Sequence, residues 1–327
     1  MRDVARAAGV SPMTVSRALK PGGLVNARTA RRVREAASRL GYVYDATAQA
    51  FRAQRSGFLA VTLPSTNNAN FAATHRGLTR ALSGTDLQIL LGITDYQVEE
   101  EERLVRQLLA RRPEAIVLTG GTHTEATRGL LSSVDIPVIE IWDLPEAALG
   151  HVVGFSNQRA MWPIVEHLAA AGRRRLAYLG ATGVTDARGA ERWAGVLAAA
   201  RALGLPEVVR LDAGPAPASM REGARAIDGA RDCLGTFDAL VCVSDPVAFG
   251  AITACVRLGI DVPGDLAVTG FGAFEIGEMS RPRITTVDVG ALRIGMETGR
   301  LLRGLESGDA GAVRVDTGAR LVVGGSS

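Results

Sequence analysis

The sequence predicts an α/β protein with a small helical head followed by two doubly wound parallel sheets. Three observations lead to this. Up to Leu40, apolar residues recur at helical spacing. Beyond Gly57, short β-branched runs alternate with amphipathic helices. The charge also divides along the chain: up to Gly57 there are eleven Lys and Arg against three Asp and Glu, leaving 26 against 31 for the remainder. A basic head on an acidic body suits a module that meets a polyanion, because each cation set against phosphate releases a condensed counterion.

In the head, Val4, Ala5 and Ala8 fall on one face of a first helix. Gly9 suits a left-handed turn, and Val10 is the apolar plug that follows. Ser11 is a strong N-cap type with Pro12 at the first helical position, and Val15, Ala18 and Leu19 make the buried stripe of a second helix. Its other face, Met13, Thr14, Ser16 and Arg17, is left to grip or read a partner. Pro21-Gly22-Gly23 breaks the chain, Asn26 caps a third helix over Ala27 to Leu40, and Gly41 stops it. The head therefore spans 1–43. A polar, alanine-rich link over 44–56 follows, in which Phe51 is the only large apolar residue past Tyr44.

The body spans 57–327. Strand-like runs at Phe58 to Leu63, Leu87 to Ile93, Ala115 to Thr119 and Val138 to Ile141 are separated by helical patterns. Further runs follow at Leu176 to Gly180, Val208 to Asp212, Ala239 to Ser244 and Leu266 to Phe271, with helices expected at Arg192 to Leu203, Arg221 to Leu234 and Val247 to Leu258 among others. Repeated strand-helix alternation implies parallel sheets, whose ligand crevice lies at the carboxyl ends of the strands. Ser65, Asp143 and Ser244-Asp245 fall there.

Several function classes are disfavoured. Lys20 is the only lysine, so the body has no phosphate-loop lysine. Gly154-Phe155-Ser156 lacks the closing glycine of a nucleophile elbow, and His75, His123, His151 and His167 form no H-E-x-x-H motif. No enzyme, metal site or cofactor is expected. Cys233, Cys242 and Cys255 show no C-x-x-C spacing and sit in apolar patterns, as buried reduced thiols do. No apolar run is long enough to span a membrane and no export signal opens the chain, which points to the cytoplasm.

The run D-V-A-x-x-A-G-V-S-x-x-T-V-S-R-x-L over Asp3 to Leu19, with Leu40-Gly41-Tyr42 after it, resembles the lactose-repressor (LacI) family of bacterial transcription regulators. The likeness continues through Leu63-Pro64-Ser65, Arg76-Gly77-Leu78, Arg192-Trp193-Ala194-Gly195, Leu258-Gly259-Ile260 and Thr285-Thr286-Val287. Thr122-His123-Thr124 and the run from Ile136 to Asp143 look most like the gluconate-utilisation repressors of that family. The resemblance implies a helix-turn-helix head, two subdomains of periplasmic-binding-protein type crossing near 155 and 285, and a homodimer on a pseudo-palindromic double-stranded operator. By position, Pro12, Met13 and Arg17 match the base-edge readers. Arg17 is suited to donate twice to guanine, whereas Met13 offers only apolar contact. Ser11, Thr14, Ser16, Asn26 and Thr29 match phosphate-gripping positions, and Tyr42 one near the backbone. Phe51 stands where the family inserts a Leu wedge into the minor groove, with Arg52 beside it.

The resemblance also implies a small sugar or sugar acid, with gluconate the first choice, bound between the subdomains by Ser65, Phe71, Asp143, Arg192, Ser244 and Asp245. Asp143 and Asp245 would accept hydroxyls, Arg192 would take a carboxylate, and Phe71 would form an apolar wall. Thr122, His123 and Glu140 are weaker candidates. Where many members carry an aspartate after Gly270-Phe271, this chain has Gly272, and Glu275 is the acid in the adjoining loop. The rival reading is a periplasmic-type sugar-binding protein without DNA function.

Overall fold

In the computed structural model, which describes residues 1–19, 24–43, 56–182, 186–305 and 311–327, the chain separates into two units, Met1–Ser56 and Gly57–Ser327. The first unit holds α1 (Arg2–Ala8), α2 (Pro12–Leu19) and α3 (Ala27–Arg39). Gly9 at φ 61° turns the chain after α1, a left-handed conformation that costs glycine least. The core is built from small residues, Ala5, Ala8, Ala18, Ala30, Ala36 and Ala37 around Val4, Val15 and Val33, which lets three short helices approach closely. Val10, Leu19, Val25 and Tyr42 close its rim. The Arg32 guanidinium donates to the Ala8 carbonyl, setting a cation at the negative end of α1.

The second unit contains two parallel sheets. The first is six-stranded, in the order β11-β5-β4-β3-β1-β2, from β1 (Phe58–Leu63), β2 (Gln88–Ile93), β3 (Ala115–Thr119), β4 (Val138–Ile141), β5 (His151–Gly154) and β11 (Arg314–Asp316). The second is four-stranded, in the order β7-β6-β8-β9, from β6 (Leu176–Gly180), β7 (Val209–Asp212), β8 (Ala239–Cys242) and β9 (Ala267–Thr269). In both, the strand order reverses beside the first strand in sequence. β1 lies between β2 and β3, and β6 between β7 and β8, so the two sheets present crevices at their carboxyl ends. A short antiparallel pair, β10 (Thr286–Asp288) with β12 (Arg320–Val322), lies beside them.

The chain passes between the two lobes three times. It leaves the first after β5 through α7 (Asn157–Ala160) and α8 (Trp162–Ala170). It returns through β10 to α13 (Ala291–Leu305), which packs on α4 (Ala69–Ala81) of the first lobe, and it crosses again between β11 and β12. The α4–α13 contact depends on absent side chains: a Cβ at Gly295 would lie 1.9 Å from the Thr74 carbonyl oxygen, and one at Gly77 would lie 2.2 Å from that of Leu292. The remaining helices are α5 (Val98–Leu109), α6 (Glu125–Ser132), α9 (Ala187–Ala202), α10 (Met220–Gly229), α11 (Asp245–Leu258) and α12 (Glu275–Met279).

Several helix boundaries differ from expectation. α9 begins at Ala187 rather than Arg192, because the Asp186 side chain accepts from the Gly189 amide (2.9 Å) and caps the helix a turn earlier. α10 stops at Gly229, and Leu234–Thr236 forms a separate 3₁₀ turn. α11 starts two residues early, at Asp245. The short strands β5, β10, β11 and β12 and the helix α13 were not read from the sequence at all. The strands are three or four residues long, too short for a period to show, and α13 buries Gly295, Thr298 and Gly299 among its apolar residues, which breaks the hydrophobic stripe. Cys242 and Cys255 are buried, Cys233 is half-buried, and all three are free thiols.

Candidate functional site

Two sets of residues, one in each unit, have the geometry of a binding surface. In the head, α2 buries Val15 and Ala18 and turns Met13 (63% exposed), Pro12 and Arg17 outward. The Ser11 hydroxyl accepts from the Thr14 amide (3.1 Å) and lies 3.0 Å from the Thr14 hydroxyl, so both side chains order the first turn of the exposed helix. Asn26 caps α3 by accepting from the Arg28 amide (2.9 Å), which leaves its NH₂ group as a donor. Ser16 and Thr29 are half-buried, and Tyr42 packs against the core while partly exposed. Phe51, Arg52 and the Pro21-Gly22-Gly23 break lie outside the described residues.

In the second unit, the loops after the strands of both sheets enclose a cleft of two chambers, about 90 Å³ and 530 Å³. Tyr96, Asp186, Arg188 and Ala216 form their common wall. Phe71, Arg192 and Ser244 line the smaller chamber, with Asn70 and Phe274. Asp143 lines the larger. The floor is a run of aromatic rings crossing from lobe to lobe: Phe71 to Trp142 (5.0 Å between centroids), Trp142 to Phe155 (5.9 Å) and Phe155 to Phe271 (6.1 Å). Trp142 holds φ 75°, an unusual backbone for a bulky residue, and its indole donates to the Thr74 hydroxyl (3.1 Å). This turn sets Asp143 at the cleft edge.

A polar chain ties the lobes beneath the cleft. Asn157, in the crossing helix α7, donates to Asp143 Oδ1 (2.5 Å) and to the Trp142 carbonyl (3.2 Å). Its oxygen accepts from Arg192 Nε (2.9 Å). Arg192 Nη1 donates to the Val243 carbonyl (2.9 Å), and its guanidinium carbon lies 3.9 Å above the Phe271 ring centroid. Burial raises the Asp143 pKa above the ordinary carboxylate value, against the pull of Arg188 and the Gly121 amide. Burial likewise lowers that of Arg192. Burial also raises the Glu191 pKa, to about 7, with Asp143 adding to the shift.

Two expected ligand residues are placed elsewhere. Ser65 accepts from the Asn67 amide (3.1 Å) in the turn after β1 and lines neither chamber. Asp245 is fully buried, and its carboxylate accepts from the Thr286 hydroxyl (2.5 Å) and the Phe274 amide (2.7 Å), so it braces the loop after β9. Nor does Glu275 line the cleft; it is exposed in the first turn of α12. An aspartate at 272 has no room, since Gly272 holds φ 111° and a Cβ there would lie 2.4 Å from the Phe274 ring. Of the weaker candidates, Thr122 lines the larger chamber, but His123 and Glu140 lie below it. His123 Nδ1 is 2.5 Å from Glu101 Oε1 and its Nε2 is 3.2 Å from Glu140 Oε1. Because the partners sit on opposite edges of the ring, the trio is an internal bridge rather than a metal cage.

Arg188, Asn157, Tyr96 and Asn70 were not singled out from the sequence. A helix beginning at Arg192 leaves Arg188 outside it, whereas α9 begins at Ala187. Asn157 becomes informative only once Asp143 and Arg192 are seen on either side of it.

Comparison with known proteins adds the following. Residues 1–45 match the family described as "Bacterial regulatory proteins, lacI family", and residues 165–327 match "Periplasmic binding protein-like domain". The HTH-type transcriptional regulator GntR of Pseudomonas aeruginosa is 34% identical over 308 residues, covering 94% of this chain and 89% of that one. A LacI-family transcriptional regulator from Silicibacter pomeroyi superimposes with a TM-score of 0.90 at 30% identity, covering 99% and 98% of the two chains. The lac repressor dimer bound to operator and the anti-inducer ONPF shares the fold, with a TM-score of 0.84 at 22% identity over 99% and 97%.

Proposed function

The chain belongs to the lacI family of bacterial regulatory proteins, and from that premise we propose that it is a dimeric repressor whose affinity for a pseudo-palindromic operator is set by a sugar acid of the gluconate type. The observation that carries the reading is the pairing of two features in one chain. One is an outward helix, α2, bearing Arg17 and Met13 over a packed three-helix core; the other is a cleft with guanidinium and carboxylate groups between two lobes. In the head, Arg17 reads a base edge and Met13 meets an apolar group such as a thymine methyl, while Ser11, Thr14, Ser16, Asn26, Thr29 and Tyr42 hold the phosphate backbone. Phe51 and Arg52 of the link act at the minor groove. The lac repressor, which shares this fold, is a dimer bound to operator, and that supports the reading.

In the body, Phe71 and Ser244 supply wall and hydroxyl, Asp143 accepts sugar hydroxyls, and Arg192 braces the cleft. A ligand bridging the lobes favours one lobe arrangement over another, and operator affinity follows the populations. Gel-shift titration of the full-length protein on duplexes from around its own locus, across a salt series and with or without gluconate, tests this. A palindrome preferred over random duplex, weakening steeply with salt and changed by gluconate, is the expected outcome. Sugar-acid binding with no DNA preference at any salt favours the sugar-binding rival instead.

A further inference from the structure

We propose that Arg188, rather than Arg192, anchors the carboxylate of the effector, and that Asp143 takes the hydroxyl beside it, so that the cleft selects an open-chain polyhydroxy carboxylate over the neutral polyol. The proposal rests on the reading of the cleft as an effector site and names its specificity residue.

The two guanidiniums stand in different circumstances. Arg192 is committed to the scaffold: Nε to Asn157, Nη1 to the Val243 carbonyl, and one face to Phe271. Arg188 projects from the first turn of α9 in the second lobe, over the Phe71 ring of the first lobe (5.6 Å to the centroid). Among the described residues it has no hydrogen-bond or ion-pair partner. It lines both chambers and is the only cation among the described residues of the wall they share. A half-buried guanidinium with no donor committed among the described residues is a strong hook for a planar anion, since it can donate two parallel N–H bonds to a carboxylate.

The neighbourhood says which anion. At the end of β3, the place a Cβ on Gly120 would occupy lies 3.2 Å from Arg188 Nη1 and 3.7 Å from Asp143 Oδ2. A donor fork and an acceptor thus stand near each other over the Gly120 backbone, a pairing suited to a carboxylate with a hydroxyl on the adjacent carbon. The larger chamber beyond is edged with Asp95, Glu99 and Asp186. Those acceptors suit the hydroxyls of a polyol tail and oppose a second negative charge. A dicarboxylate or a phosphorylated sugar is therefore disfavoured, as is a neutral sugar that covers Arg188 without pairing it.

Isothermal titration of the full-length protein with gluconate and with sorbitol, its neutral six-carbon counterpart, tests the assignment. The unmodified protein is expected to prefer gluconate. Arg188→Gln should weaken gluconate by roughly 10- to 100-fold while moving sorbitol less than about twofold, and Arg188→Lys should fall between. Arg192→Lys should weaken both ligands alike, because it disturbs the scaffold and leaves the hook. Gluconate affinity unchanged within about twofold in folded Arg188→Gln and Arg188→Lys, or a preference for sorbitol in the unmodified protein, overturns the anchor and leaves the regulator reading standing. An unmodified protein that binds its operator and neither ligand loses both the anchor and the gluconate-type effector.

Discussion

Arg192 of the second lobe reaches Asn157 of the crossing helix through a 2.9 Å hydrogen bond from Nε to Oδ1, and the same amide grips Asp143 of the first lobe through its nitrogen. One side chain at a crossing point therefore fixes the cleft-facing carboxylate of one lobe and a guanidinium of the other. A ligand that pulls on either group acts on a bond between the lobes.

Arg192→Ala should abolish the effector response while leaving operator binding in the absence of effector intact. Removing the guanidinium leaves Asn157 Oδ1 and the Val243 carbonyl without their donor, and a stability loss of about 1–3 kcal/mol is expected. Gel shifts with and without gluconate read the first effect, and urea melts the second. Unchanged induction removes Arg192 from the switch.

Arg17→Ala should cost about 1–3 kcal/mol on the cognate operator and relax preference at one base position. Binding measured against a set of single-base operator variants checks this. A uniform loss on every variant would refute base reading and leave Arg17 as a phosphate contact.

The His123 bridge predicts a stability that falls at alkaline pH. Burial works to lower the imidazole pKa, but the hydrogen bonds its ring donates to Glu101 and Glu140 outweigh it and hold the value at about 9, above the ordinary 6.5. Because the folded value is raised, the bridge contributes fully below pH 6.5 and its contribution is lost as pH rises from there through about 9. The melting temperature should decline over that window, and His123→Gln should flatten the decline. A flat profile in the unmodified protein falsifies the charged bridge.

Gly295→Ala should destabilise the second unit by about 1–3 kcal/mol or more, since its methyl group would meet the Thr74 carbonyl at 1.9 Å and force α13 away from α4. Thermal melting of the full chain measures it. Gly304→Ala, in the same helix with nothing within 4 Å of the added carbon, is the control expected to stay near neutral.

Much of the head was legible from residue order alone, because its three helices are local. The caps, the turn at Gly9 and the stripes through Val4, Val15 and Val33 all lie within a few residues of what they determine. The strand-helix alternation of the body and the crevice at the strand ends followed from the same kind of short-range pattern. Which side chains face that crevice did not, since this depends on contacts between residues far apart in the chain. Asp245 was misplaced because its partner Thr286 comes from a strand 41 residues away. Arg188 went unnoticed because its setting against Phe71 and Gly120 exists only once the lobes face each other. Local order along the chain settled the elements and their sequence of α and β. Only long-range packing decided which charged groups are committed to holding the lobes and which one is left to hold a ligand, because hydrogen-bond satisfaction is a property of the folded neighbourhood rather than of the residue.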